Sequence, residues 1–543
     1  MERRHFLKLS AMMAAQGTLH GAVPPPEPSP AEPGISKPNI ILIIADQRHY
    51  GISKATGYPL DTSPTLDRMQ ASGIGFEHNY CTAPVCVPSR VTMLTGRWPE
   101  AHHVRMNLQP HDAFYEEDLY QVARRAGYRT ALVGKNHTYL KPEDADFWRE
   151  YTHTGGYKAS GAPRELAEFD AWLSSLDYNV AEQPAPFPLF TQLPYRIVSD
   201  AIEFIDTSVQ QPYFIQVSIP EPHDPEQVPE PYWNMFPPDA VPDRCAGPDA
   251  LASLGSRAQW EYHLQQEVSP DTEKNWRRYK SNYLGALRMV DDQIGRLMNH
   301  LDSAGQSAKT VVLFTADHGD YIMDYGLARK GVGLPEDLVH TPLIWSGYGV
   351  HPSRSLNNVF TSMADVMPTL CEIMGTDIPH GVQGRSLWPL LQGQDFPPEE
   401  FRSIYSGVGV GGLYYDEHDN IPLSIVHDPA RPHMFDELNM VTQSGNQKMV
   451  RMAEWKLIYD MMGYGQLYNL IEDPCELRNL FNKPETSAIQ AQLMTELAMW
   501  LIRVQDALPT GPQNRKYQTK WPREHNWLAP YRHGGPAPTP YIP

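Results

Sequence analysis

Short apolar runs alternate with amphipathic segments from residue 39 onward, and this alternation constrains the fold more than any other feature. Residues 40–45 read Ile-Ile-Leu-Ile-Ile-Ala, a run typical of a strand buried on both faces. Comparable runs lie at 128–133, 213–219, 310–315 and 342–345. Strands separated by helices predict an α/β fold, with a large, mainly parallel sheet sandwiched by helices.

The segments between the runs carry helix signals. Ser63-Pro64 predicts the start of a helix through residue 71, and Gly73 predicts its end. Further helices are predicted over 118–126, 195–205 and 273–301. Ligands of parallel sheets bind outside the carboxyl ends of the strands, so we expect the reactive side chains just after the strands.

A second, smaller region follows the predicted sheet. Residues 448–460 and 466–470 indicate short strands of an antiparallel sheet, and residues 488–504 a closing helix. We therefore predict three parts: an export signal with a Pro-rich spacer at 1–36, a catalytic domain at 37–400, and an α+β subdomain with a Pro-rich tail at 401–543.

Charge and cysteine content exclude several classes of protein. The 45 basic and 64 acidic residues give a net charge of −19, which argues against a nucleic-acid binder, because phosphate backbones are bound by clustered Lys and Arg. An anionic substrate must therefore meet a local basic pocket. The five cysteines are scattered without a C-x-x-C pair, and their odd number leaves at least one unpaired.

The N-terminus is typical of a targeting signal. Arg3 and Arg4, followed by Phe6, Leu7 and Lys8, resemble a twin-arginine export signal, which predicts a periplasmic protein. The alternative is a disordered basic tail. The apolar stretch is shorter than the ~20 residues that cross a bilayer, and no later segment is apolar for long enough, so no membrane span is expected.

The most informative motif is Cys86-Val-Pro-Ser-Arg-Val-Thr-Met-Leu-Thr-Gly96. It resembles the C-x-P-S-R and L-T-G signature of the type I sulfatases, within the alkaline-phosphatase superfamily. The resemblance implies that a separate maturation enzyme oxidises Cys86 to formylglycine, whose hydrate attacks a sulfate ester. The sequence itself predicts a helix from Pro88, so Cys86 lies at a helix N-terminus that favours an anion. Arg90 would stabilise the ionised hydrate; the alternative for Cys86 is an ordinary buried thiol.

Two dipeptides follow predicted strands where this family has its metal ligands. Asp46-Gln47 follows the first run, and Asp317-His318 follows the run that ends at residue 315. An aspartate after a strand often caps a helix, so each pair alone would be weak. With Cys86, the pairs imply one divalent cation that polarises the transferred group.

This metal set departs from the commonest family pattern. That pattern has a second Asp at the position of Gln47 and an Asn at that of His318. The neutral amide removes one negative charge, and the imidazole nitrogen suits Mn²⁺ or Zn²⁺ better than an all-oxygen set does. The resemblance favours Ca²⁺, with Mn²⁺ or Mg²⁺ as alternatives.

Gly134-Lys135-Asn-His137 is similar to the G-K-x-H motif of the family and follows the run that ends at residue 133. The resemblance implies that Lys135 binds a sulfate oxygen and that His137 helps to release inorganic sulfate. Loop lysines and isolated histidines are usually surface residues, and 21 histidines give many chances of coincidence.

Three further residues are candidates for the same pocket. His223, in Glu221-Pro-His-Asp-Pro225, follows the run that ends at residue 219 and is by resemblance the general acid for the leaving oxygen. Lys330 lies in the loop after Asp317, where the family has a second sulfate-binding lysine. Asn107 is a candidate substrate-binding residue.

The resulting prediction is an exported sulfatase that hydrolyses a sulfated carbohydrate or another small sulfate ester. Aromatic residues in segments interpreted as loops favour a sugar, which stacks on aromatic faces; they are Trp148, Tyr151, Tyr157, Tyr232 and Trp233. Gln47 and His318 leave a phosphonate monoester or phosphodiester hydrolase as an alternative. A catalytically silent glycan-binding protein is a third possibility.

Overall fold

The computed structural model describes residues 37–413 except 109, 209, 270, 332, 353–355 and 357, together with residues 442–505 and 523–529. The predicted export signal and spacer, residues 1–36, lie outside the described residues, as does most of the Pro-rich tail.

The strands, in chain order, are β1 (Asn39–Asp46), β2 (Ile74–Gly75), β3 (His78–Tyr80), β4 (Arg129–Lys135), β5 (Phe147–Thr152), β6 (Gly155–Gly156), β7 (Tyr213–Pro222), β8 (Thr310–Ala316), β9 (Leu343–Gly347), β10 (Phe360–Ser362), β11 (Ser403–Val408), β12 (Gln447–Met452), β13 (Trp455–Asp460) and β14 (Gly465–Asn469). The α-helices are α1 (Pro64–Ser72), α2 (Cys86–Thr95), α3 (Pro99–His102), α4 (Leu119–Arg125), α5 (Arg164–Ser175), α6 (Leu193–Asp206), α7 (Tyr232–Met235), α8 (Leu251–Leu254), α9 (Ser256–Val268), α10 (Asp271–Lys274), α11 (Trp276–Ser303), α12 (Glu336–Val339), α13 (Val366–Ile373), α14 (Trp388–Leu391) and α15 (Ser487–Gln505).

The large sheet has eight strands in the order β2-β9-β8-β1-β7-β4-β5-β6. Its five central strands β8, β1, β7, β4 and β5 are parallel to one another. Strand β9 pairs antiparallel with β8, β2 with β9, and β6 with β5, which completes the two edges. Every residue of β1 is buried, as expected for a strand covered on both faces. The predicted α/β class with a mainly parallel sheet is confirmed.

Side chains of β1 alternate between two apolar cores, because successive residues of a strand point to opposite faces. Ile40, Leu42 and Ile44 belong to one core, which also includes residues of α2, α4 and α13. Ile41 and Ile43 belong to the other, with residues of α6 and α11. The sheet is thus held between two layers of helices.

The predicted helices are confirmed to within three residues at each end. Helix α4 begins where the sequence indicates, because the Asp118 carboxylate accepts a hydrogen bond from the Gln121 backbone at 2.9 Å in a capping box. Among the described residues, no helix has both the length and the apolar composition that a membrane span requires.

Strands β11–β14 form a separate antiparallel sheet in the order β11-β12-β13-β14, and α15 packs against β12. This confirms the predicted C-terminal sheet and closing helix. The domain boundary at residue 400 stays a prediction. Tyr405 Oη donates a hydrogen bond of 2.7 Å to Glu100 Oε1, which joins this sheet to helix α3.

A disulfide between Cys245 and Cys475 joins segments 230 residues apart in the chain. Cys81, Cys86 and Cys371 are free and buried. Cysteine spacing alone did not indicate this pairing, because the two residues meet only through the tertiary fold.

Candidate active site

Four strands bring their carboxyl ends to one edge of the large sheet. Asp46 ends β1, Lys135 ends β4, His223 follows β7 and Asp317 follows β8. The parallel register of β1 and β7 shifts after Ala45, so that Asp46 lies opposite Pro222. The residues predicted for the site at these four positions therefore lie at the ends of strands, as expected, and their reactivity stays a prediction.

Cys86 is the first residue of α2, as the sequence predicts, and its side chain is buried. Its Sγ lies 3.1 Å from His318 Nε2 and 3.9 Å from Asp46 Oδ1. Asn107 Oδ1 accepts a hydrogen bond from the Val87 backbone at 3.0 Å, so Asn107 anchors the first turn of α2. The predicted nucleophile is therefore held inside the polar edge of the sheet.

The electrostatic environment of Cys86 favours an anion. Burial and the Asp46 carboxylate raise the pKa of the thiol, but Lys135, Lys330 and His318 outweigh them and lower it well below its ordinary value. Cys81, five residues earlier and also buried, shows the opposite: burial, and then Asp317, raise its pKa.

Arg90 joins the two buried carboxylates of this edge. Its Nη2 lies 3.0 Å from Asp46 Oδ2, and its Nε lies 2.8 Å from Asp317 Oδ2. The remaining guanidinium nitrogen donates to Lys135 O at 3.2 Å and to Ser218 Oγ at 2.8 Å. Arg90 thus holds the carboxylates in place, in addition to any role toward position 86.

Three of the four predicted metal ligands come together around Cys86. Donor atoms of Asp46, Cys86, Asp317 and His318 all lie within 4.8 Å of one another, and all four residues are buried. Lys135 and Arg90 outweigh the effect of burial and hold the pKa of Asp46 well below its usual value, so this carboxylate is ionised. Two carboxylates and an imidazole nitrogen fit a divalent cation.

Gln47, the fourth predicted ligand, is hydrogen bonded on both sides of its amide. Its Oε1 accepts from Lys330 Nζ at 2.6 Å, and its Nε2 donates to Asp320 Oδ2 at 2.6 Å. Its φ of 61° lies in the left-handed region, which costs a non-glycine residue conformational energy and is common at active sites. Its role as a metal ligand stays a prediction.

Lys330 and His223 contact each other beside Gln47. Lys330 Nζ lies 2.9 Å from His223 Nε2, and His223 Nδ1 lies 3.0 Å from Asp224 Oδ1. Burial would lower the pKa of His223, but Asp224 outweighs it and the pKa rises to about 10. Asp224 thus favours the protonated imidazole that a general acid requires, whereas the 2.9 Å contact with Lys330 Nζ requires an unprotonated Nε2, so this contact is not kept when both groups are protonated.

His137 is the complementary group. Burial, and then Lys135, lower its pKa, while a hydrogen bond with Cys86 opposes them. The ring is therefore neutral at neutral pH and able to accept a proton. Its φ of 48° is a second left-handed non-glycine position at this edge.

The structure thus brings together most residues predicted for the site; we call this set the catalytic cluster: Asp46, Cys86, Arg90, Lys135, His137, His223, Asp317, His318 and Lys330. Asn107 is placed at the backbone of α2 rather than among these groups.

Two residues that support the catalytic cluster were not predicted from the sequence. His153 Nε2 lies 2.7 Å from Lys135 Nζ, and Arg329 Nε lies 3.3 Å from Asp224 Oδ2. Arg329 directly precedes the predicted residue Lys330, and this position in the sequence could have indicated a role for Arg329. His153 had no such signal, because the strand before it was not recognised.

The interpretation of the aromatic residues as loop residues is wrong for four of them. Trp148 and Tyr151 belong to β5, and Tyr232 and Trp233 belong to α7. Tyr151 is buried and its Oη donates to Asp200 Oδ2 at 2.7 Å, so it packs inside the protein. Tyr232 is buried as well, so these two tyrosines give no evidence for a sugar-binding surface.

The chain is similar to known proteins over most of its length. The sequence model of the Sulfatase family matches residues 38–376. The chain is 26% identical to an arylsulfatase of Clostridium perfringens over 83% of this chain and 91% of that protein. It is 22% identical to an N-acetylglucosamine-6-O-sulfatase of Bacteroides thetaiotaomicron over 86% of each chain.

A similar fold occurs in the crystal structure of a phosphonate monoester hydrolase of Agrobacterium radiobacter. The TM-score is 0.68 at 22% identity, over 86% of this chain and 96% of that one. The family match covers most of the chain, so the protein belongs to the sulfatase family. It is a sulfuric ester hydrolase, as the sequence predicted.

Proposed function

We propose that the protein hydrolyses sulfate esters with a formylglycine at position 86 as its nucleophile. The observation that carries this proposal is the placement of Cys86 at the N-terminus of α2, 3.1 Å from His318 Nε2 and surrounded by cations that lower the pKa of its thiol. Oxidised to formylglycine and hydrated, this residue would supply an oxygen nucleophile that a thiol lacks.

A divalent cation would be held by Asp46, Asp317 and His318, with Gln47 as the fourth ligand. When bound, it would polarise the sulfate oxygens and favour ionisation of the nucleophile. Ca²⁺ is the ion we propose for this site, with Mn²⁺ or Mg²⁺ as alternatives. The His318 nitrogen suits Mn²⁺ better than it suits Mg²⁺, which prefers oxygen ligands.

The protein's own side chains perform the remaining tasks. Lys135 and Lys330 bind the sulfate oxygens, where preorganised positive charge stabilises the transition state. His223 holds a proton at neutral pH and donates it to the leaving oxygen. His137, which is neutral, accepts a proton when inorganic sulfate is released.

We further propose a sulfated carbohydrate as the substrate and the periplasm as the location. The name of the Bacteroides thetaiotaomicron relative supports a sugar sulfate. The twin-arginine motif, together with the disulfide between Cys245 and Cys475, supports export, since disulfides persist in oxidising compartments. A formylglycine-generating maturation enzyme would be the protein partner.

A phosphonate monoester or phosphodiester is the second candidate substrate. Gln47 favours this second candidate because it departs from the commonest sulfatase pattern, which has an Asp at that position. Sulfate, phosphonate and phosphodiester esters of the same 4-nitrophenol separate the candidates. We expect the highest kcat/KM for the sulfate; a higher value for the phosphonate would assign the chain to the second candidate.

The decisive experiment is the mass of the tryptic peptide Met69–Arg90 from protein produced beside a maturation enzyme. This peptide contains both Cys81 and Cys86, so Cys81 is an internal control for thiol alkylation. We expect one alkylated cysteine and an aldehyde at position 86. If both cysteines are alkylated despite active maturation, the formylglycine proposal is wrong and a silent glycan-binding protein becomes the better reading.

A further inference from the structure

His153 contacts two residues of the catalytic cluster, Lys135 and His223, although it belongs to none of the motifs from which that cluster was predicted. It lies in the turn between β5 and β6, beside the carboxyl ends of β4 and β7. Tyr151 of β5 is the register partner of Lys135, so His153 lies two residues beyond the level at which Lys135 ends β4. The sheet thus delivers its imidazole to the same edge.

The first contact of His153 fixes the position of its hydrogen. Its Nε2 lies 2.7 Å from Lys135 Nζ. A protonated lysine only donates hydrogen bonds, so Nε2 must be the acceptor and a neutral His153 carries its proton on Nδ1. His153 therefore serves as a neutral support that aims the Lys135 ammonium.

The second contact is with the proposed general acid. The rings of His153 and His223 stack with their centroids 3.8 Å apart and their planes 18° apart. The two ring nitrogens of His223 contact Asp224 and Lys330. Stacking with His153 therefore limits the rotation of the His223 ring, whose edge must face the leaving oxygen.

The same residues could also form a cation site, but a cation is already there. Donor atoms of Asp46, His153 and His223 lie within 4.8 Å of one another. The Lys135 ammonium is hydrogen bonded to Asp46 Oδ2 and to His153 Nε2. It therefore fills the place of a second metal ion.

We propose that His153 is a positioning residue that holds the general acid His223 by ring stacking and aims Lys135 by its Nε2 acceptor. The proposal rests on the proposed function, since it assigns His153 a task toward two residues of that site. It differs from a purely structural role because the two contacts affect different functions in the reaction, proton donation to the leaving group and binding of the sulfate oxygens.

Two substitutions separate the contacts. His153→Gln keeps an acceptor for Lys135 and removes the ring, whereas His153→Phe keeps a stacking ring and removes the acceptor. The substrates are a series of aryl and alkyl sulfates whose leaving alcohols differ in pKa. Poor leaving groups depend on proton donation by His223, and good ones do not.

We expect His153→Gln to lower kcat/KM by about 10²-fold for alkyl sulfates and by less than about 5-fold for 4-nitrophenyl sulfate, because misplacing an acid costs about that much. We expect His153→Phe to lower kcat/KM by a similar factor across the whole series. His300→Gln, at a partly exposed histidine of α11, is the control and should match the wild type.

The proposal is overturned if the two variants show the same parallel loss across the series, or if neither differs from the wild type. It is also overturned if His153→Gln loses one equivalent of bound metal, which would make the cluster of Asp46, His153 and His223 a metal site. Metal content is measured on the purified wild type and variant.

A crystal structure of His153→Gln tests the same point without turnover. We expect the His223 ring to leave its present orientation; an unchanged ring would overturn the proposal. This readout remains informative if the wild type hydrolyses no sulfate ester, a result that would count against the proposed function alone.

Discussion

The catalytic cluster can be compared with a second group of buried charges, formed by Glu336, Arg451, Lys456 and Glu476, which we call the C-terminal charge cluster. Lys456 Nζ lies 3.0 Å from Glu336 Oε1 and 2.9 Å from Glu476 Oε1. Arg451 Nη1 lies 2.7 Å from Glu336 Oε2. Both clusters therefore bury carboxylates and cations in direct contact.

Both clusters also drive the pKa values of like groups apart. In the catalytic cluster the pKa of His223 rises to about 10, and that of the adjacent His153 is lowered, chiefly by burial. In the C-terminal charge cluster, burial and then Glu336 raise the pKa of Glu476 to about 7, while Lys456 and Arg451 outweigh burial and lower that of Glu336.

A large difference in pKa between two residues of the same type therefore does not by itself identify an active site, although shifted pKa values are frequent there. The difference between the two clusters is the proposed nucleophile. The catalytic cluster surrounds Cys86 at a helix N-terminus, whereas the C-terminal charge cluster joins β12 and β13 to α12 and to the segment beside the disulfide cysteine Cys475. One arrangement predicts chemistry and the other predicts stability.

The largest expected effect is that of Cys86→Ala on turnover. Removing the nucleophile should lower kcat/KM for a sulfate ester by at least about 10⁴-fold, as for other enzymes that lose their nucleophile. Cys81→Ala is the matched control, because Cys81 is equally buried and its pKa is raised. Activity of Cys86→Ala within about tenfold of the wild type would remove the distinction between the two clusters.

The second effect should appear in stability. Lys456 is fully buried, and Lys456→Met leaves two buried carboxylates without their shared cation. We expect the free energy of unfolding in urea to fall by about 3–5 kcal/mol, the usual cost of breaking a buried ion pair from one side. The control is Lys483→Met on the exposed surface. An unchanged unfolding midpoint would show that the C-terminal charge cluster does not stabilise the fold.

Much of this comparison could be predicted from the sequence, because strand ends and short motifs are local features. Asp46, Cys86 and Asp317 were all identified from the apolar run or the motif beside them. The environment of Lys456 could not be, since its partners Glu336 and Glu476 come from distant segments. His153 was missed for the same reason: its contacts depend on how β4, β5 and β7 pair.

The third effect concerns Lys330→Met in the catalytic cluster, which removes a buried lysine as Lys456→Met does in the C-terminal charge cluster. Lys330→Met should lower kcat/KM by about 10²–10³-fold, the usual cost of removing one group that stabilises the transition-state charge. Lys330 contacts Gln47 and His223 of the proposed pocket. We expect its loss of rate to exceed its loss of stability, the reverse of Lys456→Met; the exposed Lys274→Met is the control. If Lys330→Met keeps full activity and loses as much stability as Lys456→Met, the proposed role of Lys330 in binding sulfate is wrong.

The smallest effect concerns Glu476 and depends on pH. Because its pKa is about 7 in the folded protein and ordinarily 4.5, the folded state keeps this proton between those values while the unfolded chain releases it. The free energy of unfolding should therefore fall as pH rises from 4.5 to 7 and then level off, by on the order of 1–3 kcal/mol. Glu476→Gln cannot ionise and should lose this part of the pH dependence.

Urea unfolding of the wild type and Glu476→Gln at pH 5, 6, 7 and 8 measures that difference. Glu496→Gln is a control of opposite sign, because Arg402 and Ser403 outweigh burial and lower the pKa of Glu496. The ionised Glu496 carboxylate stabilises the fold above pH 4.5, and this stabilisation is lost only in stronger acid. The difference in free energy of unfolding between Glu496→Gln and the wild type should therefore stay constant from pH 5 to 8. If Glu476→Gln also differs from the wild type by a constant amount, Glu476 is ionised at neutral pH. Of the two clusters, only the catalytic cluster would then have residues of one type with widely different pKa values. Such a difference would identify the active site more reliably than the present structure indicates.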